Sequence, residues 1–95
     1  MKNNLSNTKK KALKAKAHTL KPTVMVGQNG LTDAVLSEID IALNVHELIK
    51  IGIRGADKKK RNEQGKKIES QLHAEVIDQI GGVIILYRPS ANISH

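Results

Sequence analysis

The chain has 95 residues, no cysteine and a formal net charge of +7. This length predicts a single domain with a modest core, and the lack of cysteine excludes disulfides and thiolate metal sites. The sequence has no apolar run of signal-peptide or membrane-spanning length, which predicts a cytoplasmic protein. We expect residues 1–95 to form one domain, with residues 1–7 and 90–95 as flexible tails.

The positive charge is concentrated in two blocks of the sequence. Residues 1–22 carry seven lysines and no acidic residue, and residues 54–67 carry seven basic residues against two acidic ones. Two such blocks indicate a polyanion-binding surface, although a solvated lysine-rich face is the simpler interpretation. Tyr87 is the only aromatic residue, so the chain lacks the rings of an RRM or OB stacking surface. Any nucleic-acid binding must therefore use backbone contacts, shape and charge.

The first predicted elements are a helix over residues 8–17 and a short strand, Val24–Val26. The helix segment contains no glycine or proline and has a narrow apolar stripe between its lysines. The strand is apolar with β-branched residues at both ends, which is typical of a buried strand. Gly27 and Gly30 follow it, and the helical period begins at Thr32, whose hydroxyl can cap a helix over about residues 32–44.

The order of strand, GxxG loop and helix N-terminus suggests a phosphate-binding unit. Glycines let a backbone bend tightly and let another chain approach closely. A helix N-terminus adds unpaired N–H groups and partial positive charge. The simpler interpretation is that Gly27 and Gly30 only turn the chain from strand to helix, and the motif alone leaves both open.

The second half of the chain predicts one more helix and three strands. A strand over Leu48–Ile53 precedes a helix over residues 58–72, capped by Asp57. We expect the basic first half of this helix to be mobile and Gly65 to weaken its middle. A third strand over residues 76–80 leads through the Gly81-Gly82 hairpin signal to a central strand, Val83–Tyr87. The predicted fold class is α/β: a two-layer α-β-α-β-α-β-β arrangement with a four-stranded mixed sheet.

The sequence offers no positive case for an enzyme. The segment His46–Lys50 lacks the second histidine of a zinc-binding HExxH helix, and Gly27–Gly30 is not followed by the Gly-Lys-Ser/Thr of a nucleotide-binding loop. No nucleophile and base have a meaningful spacing. We therefore predict no catalytic residue, no metal, no cofactor and no small-molecule substrate.

An ordered set of short motifs runs through the chain and resembles a known family. The motifs are Ala17-His18-x-Leu20-Lys21-Pro22, Val26-Gly27-x-x-Gly30-Leu31-Thr32, Glu38-Ile39-x-x-Ala42-Leu43, His46-Glu47-Leu48-Ile49-Lys50, Ile80-Gly81 and Leu86-Tyr87-Arg88. Together they resemble the CRM domain in its stand-alone bacterial, YhbY-like form, over roughly residues 5–90.

The resemblance implies an RNA-binding domain associated with precursors of the bacterial large ribosomal subunit, with plant relatives that serve in intron splicing. It also implies a fold like the C-terminal domain of a bacterial translation initiation factor, with a GxxG loop used as in KH domains. Many relatives carry a basic residue inside this loop, whereas Gln28 and Asn29 are neutral here. The attraction would then have to come from the helix N-terminus and nearby lysines.

The resulting hypothesis is a monomeric protein that binds structured ribosomal RNA during large-subunit assembly. The alternatives are a basic module that docks acidic ribosomal or assembly-factor proteins, and a binder of duplex DNA; membrane contact through the first helix would be weak. The candidate RNA-binding residues are Gly27, Gln28, Asn29, Gly30, Leu31, Thr32, Lys9, Lys10, Lys11, Lys14, Lys16, Lys21, Lys50, Arg54, Lys58, Lys59, Lys60, Arg61 and Arg88.

Overall fold

The computed structural model describes residues 7–89. The predicted tails lie outside that range, except for Asn7, which begins the first helix. Three helices and four strands follow one another in the predicted order. They are α1 (Asn7–Ala17), β1 (Val24–Val26), α2 (Asp33–His46), β2 (Leu48–Ile53), α3 (Lys58–Leu72), β3 (Glu75–Ile80) and β4 (Val83–Tyr87).

The four strands form one mixed sheet in the order β1-β2-β4-β3. β1 pairs with β2 in parallel, and β4 is antiparallel to both of its neighbours. The predicted four-stranded mixed sheet and the central position of β4 are therefore confirmed. β4 is central because it is apolar on both faces: Ile84, Ile85 and Leu86 are all buried.

Helices cover both faces of the sheet. α2 and α3 pack on one face in the main core, which includes Ile51, Ile84 and Ile39. α1 packs on the other face in a smaller cluster, where Leu13 and Ala17 meet residues such as Ile85. The α/β class is as predicted, but the helices make three layers where the sequence suggested two. The reason is that strands buried on both faces need a helix on each side.

Two local predictions are changed by the packing. α3 is continuous, and its buried Gly65 lies against Val76 and Ile84, so a small residue fits where we expected a weak middle. The prediction that β1 is a fully buried strand is wrong at Met25, whose exposed fraction is 47%. β1 is an edge strand whose Val24 and Val26 face the main core, while Met25 lies on the opposite face outside the cluster beneath α1.

Because β1 and β2 are parallel, the loops that follow them meet at one edge of the sheet. The backbone N–H of Arg54 donates to Val26 O at 3.0 Å, and that of Ile53 donates to Gly82 O at 2.7 Å. We call this the loop edge: it comprises residues 27–32, residues 54–57 and the Gly81-Gly82 hairpin. The starts of α2 and α3 therefore lie at the same edge.

Candidate nucleic-acid interface

The two glycines of the GxxG loop have different structural roles. Gly30 has φ +75°, a left-handed conformation that favours glycine, and its N–H donates to Gly27 O at 3.0 Å. Gly27 has no positive φ, and a Cβ built on it meets no atom within 4 Å in the part of the chain that the structure describes. The turn thus requires glycine at Gly30, whereas the space beside Gly27 is open to an approaching molecule.

The first turn of α2 is only partly capped. Thr32 Oγ1 accepts from the N–H of Val35 at 3.2 Å, and Thr32 O accepts from the N–H of Leu36 at 2.9 Å. Among residues 7–89, no hydrogen-bond partner meets the backbone N–H groups of Asp33 and Ala34. These two donors can serve an anion, although the exposed carboxylate of Asp33 opposes its approach.

Residues 54–57 and α3 support the GxxG loop from the side. A Cβ on Gly55 (φ +72°) would lie 3.5 Å from Gln28 Cγ, and a Cβ on Gly30 would lie 3.6 Å from Gln64 Nε2. α3 begins as α2 does, with a side-chain cap: Asp57 Oδ1 accepts from the N–H of Lys60 at 2.8 Å. The two strand-to-helix loops therefore pack together as one unit.

The basic start of α3 belongs to this edge, but its four cations are not equivalent. Lys58, Lys59 and Lys60 are exposed. Arg61 is half-buried, and its Nη1 donates to Ala56 O at 2.7 Å. We therefore assign Arg61 to the support of residues 54–57, with the three lysines as the cationic rim of the loop edge. Arg54 is exposed at the same edge.

The predicted lysine surface of α1 lies elsewhere. α1 is on the face of the sheet opposite α2 and α3, and two of its lysines turn toward β3: Lys10 Nζ is 3.6 Å from Glu75 Oε2 and Lys14 Nζ is 3.3 Å from Asp78 Oδ2. Lys50 Nζ donates to Leu20 O at 3.1 Å. The remaining predicted lysines of this region border shallow grooves along α1 and the chain after it: Lys9, Lys11, Lys16 and Lys21.

Arg88 lies at the end of the sheet away from the loop edge, and the structure gives it a different role. Its side chain is only 16% exposed. Nη1 donates to Asp40 Oδ1 and to Leu72 O, both at 2.8 Å, while Nη2 donates to Asp40 O at 3.1 Å and to Asn44 Oδ1 at 2.9 Å. Its guanidinium links the end of β4 to α2 and α3 through these hydrogen bonds. The geometry therefore does not support the prediction that Arg88 faces RNA.

Sequence reasoning missed Gly55 and Gln64 as parts of the site. Gly55 follows β2 as Gly27 follows β1, so the repeated pattern of strand, glycine and capped helix was a usable signal. Gln64 had no such signal, because only the packing of α3 brings it beneath Gly30.

Membrane-spanning and metal-binding features are both absent from residues 7–89. None of the helices there has the length and apolar character needed to cross a bilayer. No group of histidine and acidic side chains within the same residues could hold a metal ion.

The fold and the site define a small α/β domain with a GxxG loop and a lysine rim at one edge of a mixed sheet. The sequence profile of the CRS1/YhbY (CRM) domain matches residues 5–88. The chain therefore belongs to the CRS1/YhbY (CRM) domain family, as its motifs suggested.

Relatives from other organisms match over most of the chain. A Haemophilus influenzae protein named "RNA-binding protein" is 46% identical over 86 residues, which cover 90% of this chain and 87% of the relative. A Pseudomonas aeruginosa protein named a probable RNA-binding protein is 36% identical, covering 96% of this chain and 91% of the relative. The solution structure of a hypothetical protein from Staphylococcus aureus superposes with a TM-score of 0.82 at 25% identity, covering 96% of this chain and 95% of that one.

Proposed function

We propose that this protein binds structured RNA through the loop edge, and that its target is ribosomal RNA in precursors of the large subunit. The observation that carries the proposal is the open space beside Gly27, at the same loop edge as the unpaired amides of Asp33 and Ala34. The fold does not require glycine at position 27, since its φ is not positive and the space for a side chain is open. The absence of a side chain there would let a sugar-phosphate backbone approach closely. Relatives named as RNA-binding proteins support RNA as the ligand.

The physical basis is a combination of short-range donors and longer-range attraction. The amides at the start of α2 can hydrogen-bond phosphate oxygens, and the dipoles of α2 and α3 both present positive ends at this edge. Lys58, Lys59 and Lys60 add cations beside them. Such contacts position an RNA backbone but do not read its sequence, so folded shape selects the target.

The test uses protein-free fragments of large-subunit ribosomal RNA, with duplex DNA of equal length as competitor. We expect the RNA to be bound in preference to the DNA, with a log–log salt slope of roughly −0.7 to −0.9 per phosphate contacted. Failure to bind protein-free RNA would favour the alternative, a basic module that docks an acidic protein of the ribosome or its assembly factors. Affinity independent of salt would contradict the backbone mechanism.

Three further properties belong to the same proposal. We propose that the protein acts as a monomer, that it works in the cytoplasm, and that it binds RNA without catalysing a reaction. Crosslinking in cells followed by mapping of the RNA sites would identify the segment bound. Crosslinks that fall outside large-subunit precursors would contradict the proposed target.

A further inference from the structure

One row of residues crosses the whole sheet beside the loop edge. Met25 on β1 is in register with Gly52 on β2, Gly52 with Val83 on β4, and Val83 with Ile80 on β3. Side chains alternate along a strand, and the residues that flank the row on β1, β2 and β4 enter the main core: Val24, Val26, Ile51, Ile53 and Ile84. The row therefore lies on the α1 face, where Ile80 and Val83 line a groove together with Ile85. We call these four residues the apolar row.

α1 leaves the apolar row uncovered. The cluster beneath α1 contains Leu13, Ala17 and Ile85 but no member of the row. Met25 is 47% exposed and Ile80 is 53% exposed. Gly52 is buried beneath Met25 and Val83 is half-buried, so the exposed apolar surface of the row is that of Met25 and Ile80. Because these side chains belong to one register across the sheet, they differ from apolar residues scattered singly on a surface.

The surface of the row is flat at its centre. Gly52 has no side chain, and a Cβ there would lie 2.6 Å from Met25 Sδ, so the Met25 thioether lies across Gly52. A shallow groove of about 240 Å³ adjoins the row and is lined by His18, Lys50, Ile80, Val83 and Ile85. The surface thus combines a flat apolar strip with a rim that holds an ammonium group and an imidazole.

The apolar row is continuous with the proposed RNA-binding edge along the chain. Met25 lies on β1 directly before Val26 and Gly27, and Gly52 lies on β2 directly before Ile53 and Arg54. The bases of an RNA strand whose backbone lies on the GxxG loop can therefore reach the apolar row.

We propose that the apolar row receives unpaired nucleobases of the RNA whose backbone lies on the loop edge; this proposal rests on the proposed function. Bases stack on flat apolar surfaces. Because every base has a π-face, such a contact accepts any RNA sequence. The chain has no aromatic side chain here, but a thioether is polarisable and makes favourable contacts with rings. The Met25 thioether, which lies across the buried Gly52, takes the place of a stacking ring.

A protein partner fits this surface less well. The exposed area of the row is on the order of 200 Å², whereas a stable protein interface buries about 800 Å² on each partner. The ammonium group of Lys50 beside the apolar row also suits a polyanion whose bases face the sheet.

The test compares a single-stranded oligoribonucleotide with an abasic oligomer of the same length. Wild-type protein should prefer the base-bearing oligomer by roughly three- to ten-fold. The double variant Met25→Ser/Ile80→Ser should lose this preference while its affinity for the abasic oligomer stays unchanged. The matched control is Ile41→Ser/Val45→Ser, which removes two exposed apolar side chains from α2 and should keep the preference.

Several results would overturn the proposal, and they separate it from the proposed function. Equal wild-type affinity for the two oligomers would exclude base contact and leave backbone binding at the loop edge intact. If the protein binds neither oligomer but still binds protein-free ribosomal RNA, base contact at the apolar row is excluded and the proposed function stands; if it binds none of these RNAs, both proposals are overturned. Sedimentation that shows a wild-type dimer and a monomeric Met25→Ser/Ile80→Ser variant would identify a second copy of the chain as the occupant, against this proposal.

Discussion

Gln64 in α3 lies beneath Gly30 of the GxxG loop, with its Nε2 atom 3.6 Å from the place a Cβ on Gly30 would occupy. This contact joins the loop to the helix that carries Lys58, Lys59 and Lys60. Gln28 makes the second such contact, against Gly55. The GxxG loop therefore lies beside residues 54–57 and the helix that carries the three lysines.

The lysine rim should contribute more to RNA affinity than the lysines of α1 that face β3. We compare Lys58→Gln/Lys59→Gln with Lys10→Gln/Lys14→Gln, since each double variant removes two positive charges. The first should weaken binding and make the salt slope shallower by roughly 0.7–0.9 for each phosphate that the protein no longer neutralises. The second should change the slope less, because Glu75 and Asp78 already pair with those lysines. Binding titrations over a range of salt concentration decide between them, and a larger effect of the second pair would contradict our assignment.

Arg88 should matter for stability and not for RNA binding. Replacing it with alanine removes all four hydrogen bonds of a side chain that is only 16% exposed, and it leaves Leu72 O without its donor, whereas the 45% exposed Asp40 side chain can bind water instead. We expect the free energy of unfolding to fall by on the order of 2–4 kcal/mol in chemical denaturation. Arg54→Ala, at an exposed arginine, is the control and should change it by less than about 0.5 kcal/mol. If folded Arg88→Ala protein binds RNA more weakly than the wild type, Arg88 does belong to the RNA interface.

Gly65→Ala should stabilise the protein. A Cβ at this position would lie 3.5 Å from Val76 Cγ2 and 3.7 Å from Ile84 Cδ1, which are ordinary contact distances. Alanine also favours the helix over glycine, so we expect a gain of about 0.5–1 kcal/mol in the free energy of unfolding. Gly81→Ala is the control and should bring no such gain, because the φ of +57° at Gly81 strains any side chain although a Cβ there meets no atom within 4 Å among the described residues. Thermal or urea unfolding measures both variants, and a less stable Gly65→Ala protein would show that α3 packs more tightly than described.

Much of the fold could be predicted because local signals and packing agree. The bounds of β2, α3 and β4 follow from their apolar patterns and from the Asp57 cap, and the observed elements begin and end where those patterns do. The Gly81-Gly82 turn likewise fixed the antiparallel pairing of the last two strands.

The rest depends on contacts between distant segments, which leave little trace in local sequence. A lysine-rich α1 shows its charge but not its partners, so the pairing of Lys10 and Lys14 with acids of β3 was not foreseen. An arginine after a strand gives no sign that it will bridge α2 and α3, as Arg88 does. The exposure of Met25 depends on strand order, which the sequence did not determine.

The most direct test of the account is to change the charge at Gly27 without changing the fold. Gly27→Asp and Gly27→Asn introduce side chains of nearly the same size into open space, so both proteins should fold with wild-type stability. We expect Gly27→Asp to bind protein-free ribosomal RNA at least about ten-fold more weakly than Gly27→Asn, because its carboxylate opposes the phosphates. If both variants bind RNA as tightly as the wild type, the GxxG loop is only a turn.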